Sequence, residues 1–402
     1  MRYISPLTSA LFERPGPRSI SLLGSTGSIG VSALRVLAKN PDAFTVVALA
    51  GARNMELLAR QAIALRPPYL GVLDADKAAC LRLLLPSDYH PQTYTGAAGY
   101  EALASLPEAD LILAAQVGAA GLIPALAAAQ AGKIICLANK EALVLAGHLF
   151  RRICHATGAV ILPVDSEHNA LFQAMRGHDA HIERLILTAS GGPFRAKSLA
   201  EIEKATPAQA LAHPNWSMGA KISIDSATMM NKGLEIIEAV HLYGMLPQTV
   251  DVLVHPQSII HSLVEYSDGS QLAHLGVPDM EIPIAYCLGY PRRLHLGLPR
   301  LDLASIASLT FASPDTERFP CLALARQALE ASPSHTVVLN AVNEIAVQAF
   351  LDHQLSFPGL ARLIAHVLDM HQTVSVEDVH AILDLDALAR CQAAHMIKEG
   401  QC

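Results

Sequence analysis

Short apolar runs alternate with amphipathic stretches along the first 165 residues. Ser19–Gly24 (SISLLG), Phe44–Gly51 (FTVVALAG) and Leu70–Asp74 (LGVLD) are compact runs rich in Ile, Val and Leu. Between them, Gly30–Asn40 (GVSALRVLAKN) and Met55–Leu65 (MELLARQAIAL) repeat apolar positions every three or four residues. The first kind suits strands buried on both faces, and the second suits helices that cross over between parallel strands. The pattern predicts an α/β protein whose first domain, residues 1–165, is a Rossmann-like parallel sheet.

The pattern changes at 166. Residues 166–290 read as a central α/β catalytic domain. It has a long polar stretch expected to be a mobile lid loop (189–199 and 213–219) and a hairpin, 260–276, turning at Asp268-Gly269. A Pro- and Leu-rich connector, 291–314, leads to a C-terminal helical bundle, 315–402, in which Ser375-x-x-Asp378 is expected to open the last helix as a capping box. The uncharged stretch 111–132 is long enough to span a bilayer, but it parses as strand, Gly turn, helix opening near Pro124, and strand, so no membrane contact is expected.

Composition narrows the function class. Charged residues make up 16% of the 402 and hydrophobic ones 51%, which excludes intrinsic disorder. Twenty-nine basic residues against 36 acidic ones give a net charge of -7, so no nucleic-acid partner is expected. The seven cysteines are scattered without a CxxC, which argues against a disulfide framework or a zinc knuckle and for a reducing, cytoplasmic setting. The first 19 residues have no apolar run long enough for a signal peptide and read as a floppy leader.

The candidate chemistry begins at Gly24, Gly27 and Gly30, which stand between a strand and a helix. Glycines there let a dinucleotide pyrophosphate approach the backbone, and the helix N-terminus, with Thr26 and Ser28, offers donors. The spacing is GxxGxxG, and a plain tight turn is the alternative. The second strand ends in Ala52-Arg53-Asn54 rather than in an acidic residue, which favours NADP over NAD. Asn139-Lys140-Glu141 ends another apolar strand, where ligand crevices open in such sheets.

Asp165-Ser166-Glu167 closes the next strand, and extended-chain alternation is expected to point Asp165 and Glu167 to one side. Two such carboxylates repel unless a cation lies between them. Downstream, Ser226, Asn231, Lys232 and Glu235 fall on nearby helical turns, making Glu235 a third ligand candidate with Glu238 as its rival. An all-oxygen set favours Mg²⁺ or Mn²⁺ over zinc, although each carboxylate could instead be a helix cap. Ser190, His213 and the lone Trp216 lie in the long polar stretch, where an aromatic ring can cover a substrate.

Taken in order, GSTGSIG, LANKEALV, PVDSEHNALFQ, ASGGPF, HPNWSMGAKISIDSATMMNKGLE, VHPQSIIHS and NAVNEIAVQAFL resemble the 1-deoxy-D-xylulose 5-phosphate reductoisomerase family from Ser21 to the C-terminus. The resemblance implies a homodimeric bacterial enzyme that uses NADPH and Mg²⁺ or Mn²⁺, with Co²⁺ as a further option, on a small phosphorylated sugar. It implies Asp165, Glu167 and Glu235 as metal ligands, with Lys140 beside them. Ser166, Ser190, His213, Trp216, Ser226, Asn231 and Lys232 would then hold the substrate with Lys140, Glu167 and Glu235. Gly24, Thr26, Gly27, Ser28, Ile29, Ala52, Arg53, Asn54, Asn139, Glu141, Gly219 and Met280 would hold NADPH. His255, Ser258 and His261 are expected to support the pocket from behind. The chain departs from the family at Arg53, where relatives often have Lys, and at Ala220, where many have Arg. Competing readings are an NADP-dependent dehydrogenase of another phosphorylated aldehyde and an NADPH-sensing regulator.

Overall fold

The computed structural model describes residues 2–7, 12, 16–177, 180–213, 216 and 218–400. The first part runs β1 (Arg18–Leu23), α1 (Ser28–Lys39), β2 (Phe44–Ala50), α2 (Met55–Leu65), β3 (Tyr69–Val72), α3 (Ala75–Leu84) and β4 (Gln92–Thr95). It continues through α4 (Gly96–Ala104), β5 (Leu111–Ala114), α5 (Leu122–Gln130), β6 (Ile134–Leu137), α6 (Lys140–Thr157) and β7 (Val160–Pro163). These seven strands form one parallel sheet in the order β4-β3-β2-β1-β5-β6-β7. The order reverses between β1 and β5, and the crevice beyond their carboxyl ends is where such sheets bind ligands. Strands β1, β5, β6 and the edge strand β7 are almost wholly buried, as their unbroken apolar runs require.

Then follow α7 (Ser166–Ala174), β8 (Ile182–Ala189), α8 (Leu199–Ile202), α9 (Pro207–Leu211), α10 (Ala220–Ala227) and α11 (Met230–Tyr243). After them come β9 (Val250–Val254), β10 (Ile260–Tyr266), β11 (Gln271–Leu275) and α12 (Glu281–Gly289). The second sheet has the order β11-β10-β8-β9, with β10 and β11 the expected hairpin and Gly269 supplying its left-handed turn residue at φ +82°. The chain returns to the first sheet at α12, whose Ile284 and Tyr286 join the core formed by Ile20, Leu22 and Leu113. That return precedes the boundary expected at 290. After α13 (Leu303–Ile306), the bundle consists of α14 (Cys321–Ala331), α15 (Pro333–Leu351), α16 (Phe357–Met370) and α17 (Val379–Lys398). Its buried Val337, Val338 and Leu363 are continuous with the core on the other face of the first sheet.

Two expectations need correction. The leader is docked where it is described: Arg2 and Ile4 donate backbone hydrogen bonds to Tyr243 and Leu242, and Ile4 is fully buried. The Ile4 side chain seats in the main core, a gain that composition alone does not show. Helix α17 begins at Val379 with Asp378 as its N-cap, bonding the Ala381 amide at 2.9 Å, so Ser375 is not part of a capping box. Among the described residues, no helix is long and apolar enough to cross a membrane, and 111–132 folds as β5, α5 and their connections.

Candidate active site

One cleft of about 340 Å³ opens at the carboxyl end of the first sheet, between it, the second sheet and α10–α11. In the turn after β1, Gly24 has φ +96°, and a Cβ there would lie 2.5 Å from the Ala115 carbonyl oxygen. A Cβ on Gly30 would collide with the Gly24 carbonyl. These two glycines let β1, β5 and α1 converge, which brings the start of α1 to the crevice. The N-cap of α1 is Gly27, with no side-chain cap, so the first-turn N–H groups and the positive dipole end are available to an anion. Ser28 and Ile29 line the cleft, whereas Gly24, Thr26, Gly27, Ala52, Arg53 and Asn54 lie beyond its edge. Ala52, Arg53 and Asn54 are exposed at the end of β2, and the Asn54 side chain caps α2 through the Leu57 amide at 3.0 Å.

Asp165 and Glu167 do come together, but not by strand alternation. β7 ends at Pro163, Asp165 is the N-cap of α7, and Glu167 sits in that helix's first turn. Asp165 makes no cap hydrogen bond with its side chain, so the carboxylate serves the cleft rather than the helix. The break between α10 and α11, where Met229 is left-handed at φ +63°, aims the first turns of α11 at the same point. Carboxylate oxygens of Asp165, Glu167 and Glu235 consequently lie within 4.8 Å of one another.

Two lysines neutralise this cluster. Lys140, the first residue of α6, pairs with Asp165 and, at 2.9 Å, with both Glu235 and Asn231. Lys232 reaches Glu167 at 2.6 Å and also pairs with Glu235. Three carboxylates against two ammonium groups leave a formal surplus of one negative charge. Burial pushes the Asp165 carboxyl up to about 7 against the pull of Lys140, with Glu235 and Glu167 adding to the rise. Glu167 moves the other way: burial would raise it, but Lys232 and Lys140 outweigh burial and hold it low. Lys140 stays an ammonium because its carboxylate neighbours overcome the burial that would lower it. A compact, hard, anionic oxygen set with one unmatched charge fits a divalent cation such as Mg²⁺. Behind it, His168 meets the rival candidate Glu238 at 3.0 Å, both fully buried, and the Glu238 carboxylate faces that ring instead of joining the first cluster.

Ser190, His213, Ser226 and Trp216 line the cleft together with Asn231 and Lys232 of that cluster. The Trp216 amide donates to His213 Nδ1 at 3.0 Å, which leaves Nε2 to carry the proton toward Ser190 Oγ at 2.9 Å. Burial lowers the His213 pKa, so the ring is neutral near pH 7. Ser258 and His261 line the cleft rather than standing behind it, and only His255 is set back, its Nδ1 3.0 Å from the Thr310 carbonyl. Pro214, Asn215 and Ser217 of the expected lid lie outside the described residues.

Asn139 caps α6 through the Ala142 amide at 2.7 Å and donates to the Gly118 carbonyl at 2.9 Å. Glu141 holds Lys221 at 2.6 Å, and Gly219 and Met280 complete that wall. Sequence reasoning missed Lys221, Asp225, Gln116, Val117 and His168. The Glu141–Lys221 pair joins residues 80 apart on different helices, so no spacing announces it. His168 was the one with a signal, following Glu167 directly in the first turn of α7.

Three family models match the chain in register. Residues 20–147 match 1-deoxy-D-xylulose 5-phosphate reductoisomerase, residues 161–243 its C-terminal domain, and residues 275–392 a DXP reductoisomerase C-terminal domain. A 1-deoxy-D-xylulose 5-phosphate reductoisomerase of Oleidesulfovibrio alaskensis is 60% identical over 394 residues, covering 96% of this chain and 97% of its own. One from Nitratidesulfovibrio vulgaris is 59% identical over 391 residues, covering 97% and 96%. A crystal structure of DOX-P reductoisomerase in complex with NADPH, fosmidomycin and magnesium superposes with a TM-score of 0.89 at 42% identity, covering 95% of this chain and 98% of that one. The Zymomonas mobilis enzyme in complex with NADPH gives 0.88 at 42% identity, covering 95% and 99%. The chain belongs to the 1-deoxy-D-xylulose 5-phosphate reductoisomerase family and is an enzyme, an oxidoreductase and isomerase.

Proposed function

We propose that this cleft rearranges 1-deoxy-D-xylulose 5-phosphate and reduces it to 2-C-methyl-D-erythritol 4-phosphate, with NADPH as reductant and a divalent cation bound, in non-mevalonate isoprenoid synthesis. The observation that carries the reading is the convergence of Asp165, Glu167 and Glu235 within 4.8 Å. The relative that binds NADPH, fosmidomycin and magnesium supports Mg²⁺, and Mn²⁺ and Co²⁺ are alternative occupants. When bound, the cation polarises the substrate's carbonyl and adjacent hydroxyl oxygens and NADPH supplies the hydride.

The chain's own residues do the rest. Asp165, Glu167 and Glu235 are the cation's ligands, and the Lys140 ammonium stabilises oxyanion charge beside them. Ser190, Ser226, Asn231 and Lys232 donate to the substrate phosphate, with His213 orienting Ser190, while Ser166 meets the sugar hydroxyls. Trp216 closes over the substrate with its lid segment and excludes water. The α1 turn from Gly24 to Ile29 takes the NADPH pyrophosphate, and Arg53 with Ala52 and Asn54 takes the 2′-phosphate. Asn139, Glu141, Gly219 and Met280 hold the nicotinamide half.

The enzyme works as a homodimer in the bacterial cytoplasm on this reading. Strand β11 is an exposed sheet edge bearing Leu272 and Leu275, which supports pairing with a second copy. Among the described residues the six cysteines are free thiols, in keeping with a reducing compartment. Family membership disfavours the plain dehydrogenase and the sensor. Product identification tests the choice: NMR of the product formed from substrate, NADPH and Mg²⁺ should show the branched tetritol phosphate. An unbranched pentitol phosphate would mean reduction without rearrangement and contradict the proposal.

A further inference from the structure

On the bundle helix α15, two neighbouring side chains bond to the elements that form the cleft wall. On α15, the buried Asn343 donates from Nδ2 to Asp225 Oδ1 at 2.8 Å. The other oxygen of Asp225 holds Lys221 Nζ at 2.8 Å, and the same ammonium holds Glu141 Oε1 at 2.6 Å. Asp225, Lys221 and Glu141 all line the cleft. The next residue, Glu344, accepts the Ala119 amide at 3.1 Å and the Asn340 side chain at 3.0 Å on Oε1. Its Oε2 takes Arg390 of α17 at 2.7 Å. Ala119 belongs to the turn after β5 whose Gln116 and Val117 also line the cleft. Gly118 there has φ +71°, and a Cβ on it would come within 2.9 Å of Glu344.

Consecutive residues of a helix point about 100° apart. Asn343 and Glu344 thus grip two different walls, one through Asp225 of α10 and the other through the turn after β5. Lys221 uses one oxygen of Glu141, so Lys221 sets where that carboxylate stands. Neither Asn343 nor Glu344 lines the cleft, and neither belongs to the carboxylate cluster.

We propose that Asn343 and Glu344 are positioning residues for the bound dinucleotide. Through Asp225 and Lys221 they fix Glu141, and through Ala119 they fix the turn carrying Gln116 and Val117. The inference rests on the NADPH reading given above. It makes the bundle part of the cofactor site rather than packing alone, because the link is a chain of charge-assisted hydrogen bonds ending at cleft side chains.

The test compares Asn343→Ala, Glu344→Ala, Glu344→Gln and the bundle control Leu363→Ala in the full-length enzyme, with steady-state kinetics and NADPH binding by fluorescence. Losing one such hydrogen bond should raise Kd and KM for NADPH about tenfold in the two alanine variants. KM for the phosphosugar and kcat at saturating NADPH should stay within about twofold, a tolerance set well below that tenfold effect. Glu344→Gln keeps an acceptor for the Ala119 amide and should recover most of the affinity, whereas Leu363→Ala should lower Tm without moving the NADPH constants. Unchanged NADPH constants in Asn343→Ala and Glu344→Ala, or a parallel rise in both KM values, overturn the proposal. Wild-type enzyme that fails to bind NADPH overturns the functional reading itself, and the two failures are thereby told apart.

Discussion

Glu235→Gln is the perturbation that asks most of the cation site. The side chain is 1% exposed, and its two oxygens serve Lys140, Lys232 and Asn231. The amide removes the formal surplus of negative charge but leaves Lys140 with Asp165 and Lys232 with Glu167, so the fold should survive. Two unit charges 4 Å apart interact by about 4 kcal/mol at an effective dielectric of 20, and a divalent ion doubles that. The amide oxygen and water recover part, leaving a net loss of about 4 kcal/mol, or roughly 1000-fold in metal affinity. The assay is a Mg²⁺ titration of NADPH oxidation, paired with thermal unfolding. At 100 times Kd, Mg²⁺ should stabilise the wild type by about 2.7 kcal/mol. With 402 residues and about 2.1 cal/mol/K of unfolding entropy each, that is a Tm rise of about 3 °C. The variant should show no rise at the same concentration. A Glu235→Gln enzyme with an unchanged Mg²⁺ midpoint would refute the assignment of this carboxylate as a ligand.

Three further outcomes are expected. Gly24→Ala meets both a left-handed backbone and the Ala115 carbonyl, so urea unfolding should show a loss of about 2–4 kcal/mol, accompanied by weaker NADPH binding; wild-type stability would remove the close-approach argument. Arg53→Ala should raise KM for NADPH by about 10–100-fold, the worth of a charged hydrogen bond, with little change for NADH, as measured by parallel initial rates. His241 is pushed down to about 4 by burial, with His148 and Arg151 nearby, so the unfolded chain binds its proton first as pH falls below 6.5. Stability should fall by up to about 3 kcal/mol between pH 6.5 and 4 and then level off, and His241→Asn should flatten that decline in denaturant titrations.

Strand and helix alternation was legible because buried parallel strands must be apolar on both faces, and the hairpin was legible in Asp268-Gly269. Return of α12 to the first sheet was not, since a helix's period does not say which surface it covers. The carboxylate trio was visible in kind but misplaced in cause: Asp165 and Glu167 meet at a helix N-terminus, not along a strand. The Glu141–Lys221–Asp225–Asn343 chain left only a partial sequence signal: Lys221 and Asp225 stand four apart on α10, but the links to Glu141 of α6 and Asn343 of α15 exist only after folding.

The central claim is that this cleft couples NADPH oxidation to a cation held by Asp165, Glu167 and Glu235. It is tested most directly by following NADPH absorbance with purified enzyme and 1-deoxy-D-xylulose 5-phosphate, first with Mg²⁺, then with EDTA, then with Mg²⁺ restored. Oxidation that stops with EDTA and returns with the metal is the predicted result. NADPH that binds but is never consumed with any of Mg²⁺, Mn²⁺ or Co²⁺ would contradict it.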